Sequence, residues 1–248
     1  YKHVSIVEDN TLYGVKNNVL STFLISDYSI KYNVQNFVLV STDKAVKPSN
    51  YMGKSKLASE MIVNQLSKNT QTKFSIVRFG NVLNSSGSVL SIFDTQLKKG
   101  GPLTVTDKKV TRYFMSIPEA AQLIIQSSTI SNECRTYILE MGESYNIYEL
   151  AKRLIKINGF QLKSKNNNGI EIIITGLKHG EKLHEELTFI KKDLEKTEHP
   201  KIYATSEKYY EFDVSSWISE LNSLYSDNDI EGFKNILNEL VLQHQLLN

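Results

Sequence analysis

Segments with helical periodicity alternate with short apolar runs through the first hundred residues, and few folds satisfy that order. Residues 12–32 predict a helix, with Val15, Val19, Phe23 and Ile30 recurring at helical spacing. Asn36–Ser41 is a brief apolar run fit for a buried parallel strand. Residues 50–67 predict a second helix carrying Met52, Leu57, Met61, Ile62 and Leu66 on its apolar side. Lys73–Phe79 follows as the next buried strand, and residues 88–99 as another helix closed by Gly100-Gly101-Pro102. Helix, strand, helix, strand with short joints is the order of βαβ units in a parallel sheet, so an α/β fold is expected.

The texture changes after the Gly-Gly-Pro break. Thr111–Ile117 reads as a strand, and Pro118 opens a helix running to about Ser128. Thr136–Leu139 is a short strand, Asn146–Asn158 a helix, and Ile170–Thr175 a strand behind the polar loop Lys163–Gly169. Two amphipathic helices are expected around Ser215–Tyr225 and Ile230–Leu246. The reading is half of a parallel sheet, residues 1–101, followed by a smaller mixed α/β domain, residues 102–248, interleaved with it. Residues before the helix at 12 read as a polar stub. The sheet's earlier strands are therefore expected upstream, in a longer parent chain.

Composition removes several function classes. Lys+Arg number 29 against 27 Asp+Glu, a formal charge of +2, which gives no electrostatic footprint for nucleic acid or an anionic membrane surface. No apolar run approaches the roughly 18–20 residues needed to span a bilayer. A cytoplasmic setting is expected, with membrane tethering only through a longer parent. The single cysteine, Cys134, excludes an internal disulfide and a multi-cysteine zinc site, and reads as a buried small residue. No Gly-x-Gly-x-x-Gly occurs. Only Arg78, Arg112, Arg135 and Arg153 are arginines, so each is a candidate for its planar fork.

Three segments carry candidate chemistry. Ser41-Thr42-Asp43-Lys44 lies at a strand's carboxyl end, where open α/β sheets bind ligands. Alone, Thr42-Asp43 reads equally as a turn and helix cap. Met52-Gly53-Lys54-Ser55-Lys56 starts a helix and puts Met52 and Lys56 on one face, although a solvated lysine would explain Lys56 as well. Arg78-Phe79-Gly80-Asn81-Val82 ends the next strand. His179, His184 and Glu185-Glu186 lack the spacing of a zinc-protease helix, and no metal is expected.

Taken together these segments resemble the extended short-chain dehydrogenase/reductase superfamily. Within it they resemble the CapD-type polysaccharide-biosynthesis branch, nucleotide-sugar 4,6-dehydratases acting on UDP-N-acetylglucosamine. Further blocks carry the resemblance: Lys16-Asn17-Asn18-Val19, Ser85-Ser86-Gly87-Ser88-Val89, Thr111-Arg112-Tyr113-Phe114-Met115, Met141-Gly142-Glu143, Gly180-Glu181-Lys182-Leu183 and His199-Pro200-Lys201-Ile202. The sequence departs from the superfamily pattern in two ways. The glycine-rich turn and the first strands are absent, so the N-terminal part of the Rossmann domain, with the phosphate half of the cofactor site, is expected upstream. The other departure is on the active-site helix. Most relatives have Tyr-x-x-x-Lys on the active-site helix, and here Met52 holds the tyrosine position, as in a Met-x-x-x-Lys subgroup. Tyr51 is adjacent but about 100° around the helix. Tyr148–Lys152 matches the pattern only by chance.

The resemblance implies a Rossmann-type sheet, NAD as cofactor and a UDP-sugar substrate. It assigns Asp43 as the acid that helps the C6 hydroxyl leave, Lys44 as the base at C5, and Thr42 as a partner of the C4 hydroxyl, with Met52 and Lys56 completing the catalytic set. Cofactor contacts are implied at Ser41, Lys56, Phe79 and Asn81. Substrate contacts are implied at Asn81, Ser88, Arg112 and Glu181. A surface ion pair is the plain alternative for Arg112, and helix-end charge compensation for Glu181. The helices 12–32 and 50–67 resemble those that join related subunits in a four-helix bundle, though their apolar faces equally suit covering the sheet. Two other functions stay open: a nucleotide-sugar epimerase, and a non-catalytic nucleotide-sugar-binding or assembly module.

Overall fold

A computed structural model of the chain describes residues 1–130, 133–164, 167–187 and 194–248. Its elements are α1 (Val4–Asp9), α2 (Thr11–Lys31), β1 (Asn36–Val40), α3 (Tyr51–Leu66), β2 (Lys73–Arg78), β3 (Asn81–Val82), α4 (Val89–Lys98), β4 (Leu103–Val105), β5 (Thr111–Arg112), β6 (Phe114–Met115) and α5 (Ile117–Ser127). There follow β7 (Arg135–Leu139), β8 (Tyr145–Asn146), α6 (Ile147–Ile157), β9 (Ile172–Ile174), β10 (Leu194–Lys196), β11 (Ile202–Thr205), α7 (Val214–Ser226) and α8 (Ile230–Leu247). Two compact units result. One holds Tyr1–Phe79, Gln122–Glu140 and Glu186–Asn248; the other holds Gly80–Ala121 and Met141–Glu185. They interleave in sequence, and the first crossing follows Phe79 rather than residue 101.

The first unit is built on a five-stranded sheet of order β1-β2-β7-β11-β10. β1, β2 and β7 run parallel, whereas β11 and β10 are antiparallel additions. The sheet is thus of the Rossmann type, parallel-rich and mixed at one side. β2 is buried from Phe74 to Arg78, on both faces, which explains its unbroken apolar run. Val40 pairs with Val77, so β1 and β2 finish side by side.

The stub before residue 12 is itself helical. Val7 of α1 is buried, and a Cβ on Gly14 of α2 would lie 2.8 Å from its methyl. Asn18 Nδ2 on α2 donates to Ser55 Oγ on α3 at 2.9 Å, a buried bond between the two helices. The apolar side of α3 (Leu57, Met61, Ile62) is buried in this unit's own core, together with Trp217, Leu221, Phe233 and Leu237 of α7 and α8. α2 differs: Tyr13, Leu24, Ile25, Tyr28 and Tyr32 remain exposed.

Among the described residues the second unit has three small strand pairs, β3 with β6, β4 with β9 and β5 with β8. Phe93, Leu97, Leu103, Ile147, Ala151 and Ile155 form its core. The single strand expected over Thr111–Ile117 is broken at Tyr113. Thr111 pairs antiparallel with Asn146, and Phe114 pairs parallel with Asn81. One stretch thus serves two ladders of opposite direction, which a continuous apolar pattern does not distinguish. Part of the expected loop Lys163–Gly169 lies outside the described residues. Among the described residues no helix is long and apolar enough to cross a membrane.

Candidate functional site

The end of β1 is stitched to the end of β2. Ser41 N donates to Val77 O at 2.8 Å, and Asp43 N donates to Phe79 O at 3.1 Å. Thr42 then caps a 3-10 turn, Asp43–Ala45, accepting from Lys44 N at 3.3 Å. This turn brings two functional groups onto one atom of a third. Thr42 Oγ1 donates to Asp43 Oδ1 at 2.9 Å, and Lys44 Nζ donates to the same oxygen at 2.9 Å. The Asp43 side chain is 1% exposed and that of Lys44 17%. Asp43 Oδ2 is buried and has no hydrogen-bond partner among the described residues. A buried carboxylate oxygen left without a donor carries a desolvation cost, and a ligand hydroxyl or a proton on that oxygen removes it.

Helix α3 brings the second group. Asn50 caps it through Gly53 N at 2.8 Å. Met52 is buried, and Lys56, one turn on, is half-buried with Nζ donating to Val40 O at 3.3 Å. Burial pushes the Lys56 ammonium below its ordinary pKa, and the Glu60 carboxylate opposes that shift. Tyr51 is occupied elsewhere, with Lys54 Nζ 4.7 Å and Lys234 Nζ 5.7 Å from its ring centre.

Behind these residues is a buried polar cluster that sequence reasoning did not identify. Arg78 Nε donates to Glu60 Oε1 at 2.9 Å, and Nη2 donates to Glu207 Oε1 at 3.0 Å. Ser41 Oγ donates to Glu60, and Tyr209 OH donates to Glu60 Oε2 at 3.0 Å. His244 Nε2 lies 3.1 Å from Glu207 Oε1. Burial works against the charge on Arg78, but the carboxylates of Glu60 and then Glu207 outweigh it and hold the guanidinium protonated. The one signal available in sequence was the scarcity of arginine. Ser41, expected at the cofactor, commits its hydroxyl to this cluster.

The remaining expected residues lie in the second unit. Asn81 N donates to Tyr113 O at 3.0 Å in the β3–β6 pair. Ser88 precedes α4, with its N–H on Ser85 O at 2.9 Å. Arg112 and Glu181 meet each other: Nη2 donates to Glu181 Oε1 at 2.9 Å, while Nη1 donates to the carbonyls of Thr111 (2.8 Å) and Leu183 (3.1 Å). Thr106 Oγ1 also donates to Glu181 Oε1, at 3.0 Å. His184 Nδ1 lies 2.8 Å from Thr111 Oγ1. Lys152 is bonded to Glu149 on an exposed helix face, in keeping with a chance Tyr-x-x-x-Lys match. Among the described residues no group of three or more His, Cys, Asp or Glu is arranged to hold a metal.

The parallel-rich sheet, with polar groups gathered past the ends of β1 and β2, is of the Rossmann type. The family described as polysaccharide biosynthesis protein matches residues 1–207, and the chain belongs to it. It is 45% identical over 187 residues to the probable polysaccharide biosynthesis protein EpsC of Bacillus subtilis, covering 75% of this chain and 30% of that protein. It is 41% identical over 236 residues to the capsular polysaccharide biosynthesis protein CapD of Staphylococcus aureus, covering 94% and 37%. The chain therefore spans about a third of the length of these relatives. Relatives with named reactions are the UDP-N-acetylglucosamine 4,6-dehydratase (inverting) of Campylobacter jejuni, 31% identical over 74% of this chain and 52% of that one, and the UDP-glucose 4-epimerase of Rickettsia rickettsii, 33% identical over 75% and 53%. Among solved structures, Pen from Bacillus thuringiensis is similar at a TM-score of 0.74 and 31% identity, over 83% of this chain and 63% of that one.

Proposed function

We propose that this chain is the catalytic part of an NAD-dependent 4,6-dehydratase that converts UDP-N-acetylglucosamine to a UDP-4-keto-6-deoxy sugar for surface polysaccharide. The observation that carries the reading is the Asp43–Lys44 pair, 2.9 Å apart on a strand-end turn, with the second Asp43 oxygen buried and unpartnered among the described residues. A simple 4-epimerase needs neither a base at C5 nor an acid at C6.

The residues present fit the nicotinamide-ribose portion of NAD. Lys56 offers an ammonium at the carboxyl end of β1, Met52 an apolar wall and Asp43 an oxygen in need of a donor. When bound, NAD+ supplies the hydride acceptor for sugar C4. Lys56 holds the ribose hydroxyls, with Phe79 and Asn81 as further cofactor contacts and Thr42 a partner of the C4 hydroxyl. The protons are the chain's own work. Lys44, as the free amine, takes the C5 proton, and the electron pair left behind forms the C5–C6 double bond. Asp43, as the carboxylic acid, protonates the C6 hydroxyl while the C6–O bond breaks and water leaves. Both groups emerge charged, so the ammonium–carboxylate pair is the state that elimination produces. Their 2.9 Å hydrogen bond holds the two charges together until the Lys44 ammonium gives its proton back to C5, as the hydride taken from C4 returns to C6, and Asp43 recovers the proton that the C4 hydroxyl gives up on oxidation.

In the second unit Asn81, Ser88 and Glu181 serve the UDP moiety. Arg112, whose fork is engaged by two carbonyls and Glu181, orients that carboxylate for the ribose. A second copy of the chain is the proposed partner of the exposed face of α2, and a single-chain mass in sedimentation contradicts it.

The test is incubation of the full-length protein with UDP-N-acetylglucosamine and NAD+, followed by mass spectrometry. Loss of one water from the nucleotide sugar is expected. The Rickettsia relative favours a second reading, 4-epimerisation, and a product of unchanged mass would establish it instead.

A further inference from the structure

Lys56 and Glu60 stand one turn apart on α3, and both reach the same point of β1. Lys56 Nζ donates to the carbonyl of Val40, and Glu60 Oε1 accepts from the hydroxyl of Ser41, the next residue. Glu60 also takes Arg78, at the end of β2, and Tyr209. One buried carboxylate therefore joins the three segments that carry the candidate chemistry: the end of β1, the lysine turn of α3 and the end of β2.

The charges require such a link. Glu60 and Glu207 are fully buried carboxylates that share the single guanidinium of Arg78. Tyr209 contributes no charge, because burial pushes its hydroxyl pKa well above the usual value. His244 faces Glu207, with Nε2 3.1 Å from Oε1, and stacks on Tyr209. On α3 itself Lys56 is the cation four residues before Glu60, while Lys54 donates to Asn238 and the Tyr1 ammonium is the other charge coupled to Lys56. A buried pair of carboxylates with one guanidinium favours a second positive charge close by.

We propose that Glu60 is a positioning residue that aims Lys56 at the end of β1 and keeps it charged there. The inference rests on the reading of Lys56 as the lysine that holds the cofactor. The opposing influences on Lys56, burial lowering its pKa and Glu60 raising it, agree with this arrangement. Without the carboxylate, a half-buried ammonium beside a sheet edge loses its proton more readily.

The measurement is NMR titration of the lysine side chains of the full chain, with Lys56 assigned by the signal lost in Lys56→Met. Glu60→Gln keeps the shape and removes the charge. The Lys56 midpoint is expected to fall below that of wild type. A midpoint unchanged in folded Glu60→Gln overturns the proposal. Should that variant not fold, Glu60→Asp, which keeps the charge and draws it back by one methylene, is read in the same way: a lowered Lys56 midpoint is expected, and an unchanged one in the folded variant again overturns the assignment. NAD+ affinity of the same variants is a separate readout. A lowered Lys56 midpoint in Glu60→Gln together with unaltered NAD+ binding by Lys56→Met upholds the Glu60 link and removes Lys56 from the cofactor site.

Discussion

A Cβ placed on Gly53 would stand 2.3 Å from the carbonyl oxygen of Lys44, closer than any side chain tolerates. The start of α3 thus presses directly on the turn that holds the acid and the base. In an ordinary helix Gly→Ala gains up to about 1 kcal/mol. Here the obstacle is backbone, which cannot swing aside, and overpacking of this kind costs about 1–3 kcal/mol. Gly53→Ala is expected to lower the urea midpoint and to slow turnover at least about tenfold by displacing Lys44. A variant as stable and active as wild type would show that the turn yields freely.

Asp43→Asn and Lys44→Met are each expected to reduce the dehydration rate by about 10²–10⁴-fold. The circular dichroism spectrum should be retained, since the turn is also held by the backbone bonds of Ser41 and Asp43 to β2. Single-turnover kinetics separates this loss from weaker substrate binding. Either variant turning over near the wild-type rate removes its residue from the proton chemistry.

Arg78→Met leaves Glu60 and Glu207 buried without their guanidinium. Breaking a buried ion pair by removing one partner typically costs about 3–5 kcal/mol. Arg78→Met is expected to unfold at correspondingly lower denaturant. The double variant Arg78→Met with Glu60→Leu should recover part of that loss, because a second buried charge goes with the first. Equal stability of the single and double variants would speak against the pairing.

The same cluster sets an acid limit on stability. Burial alone would raise the Glu207 pKa, but Arg78 and then His244 overcome it and hold the carboxyl below its ordinary 4.5. A pKa depressed on folding stabilises at pH above the unfolded value, and that contribution is lost as pH falls through the folded value. Denaturation of wild type and Glu207→Gln should therefore differ most near neutrality and converge well below pH 4.5. Curves that run parallel down to pH 2 would contradict this.

Cys134 is held as the thiol. Burial pushes its pKa from 9.0 to about 11, although Ser67 and Asn64 hydrogen-bond to it and pull the other way. Thiolate at neutral pH is then about a hundredfold scarcer than at an ordinary cysteine. Labelling by iodoacetamide at pH 8 is expected to be slower by about that factor in the folded protein, and normal in urea. Rapid labelling of the folded chain would refute the shift.

Local periodicity made much of the first unit legible. α2, β1, α3 and β2 occur within a residue or two of where apolar spacing puts them, because each has one buried face or two. Short elements were not legible. β10 and β11 carry no alternation long enough to read, and their antiparallel pairing depends on partners far away in the chain. The stub Val4–Asp9 looked polar, and its helix is stabilised by burying Val7 against Gly14. In the site, Asp43, Lys44, Met52 and Lys56 could be picked out because they cluster in two short segments. Glu60, Glu207, Tyr209 and His244 could not. Their meaning arises only when Arg78 meets them, and nothing local in a glutamate or a histidine announces such a contact.

Arg78 meets Glu207 across 129 residues of chain. At a ribosomal pace of about 5–20 residues per second, β2 emerges roughly 6 to 26 s before that carboxylate. During the interval Glu60 is already made, whereas Glu207, Tyr209 and His244 are not. A strand destined for the interior therefore spends its first seconds with half of its electrostatic escort still unsynthesised, and the buried lock closes only after that later stretch has left the ribosome.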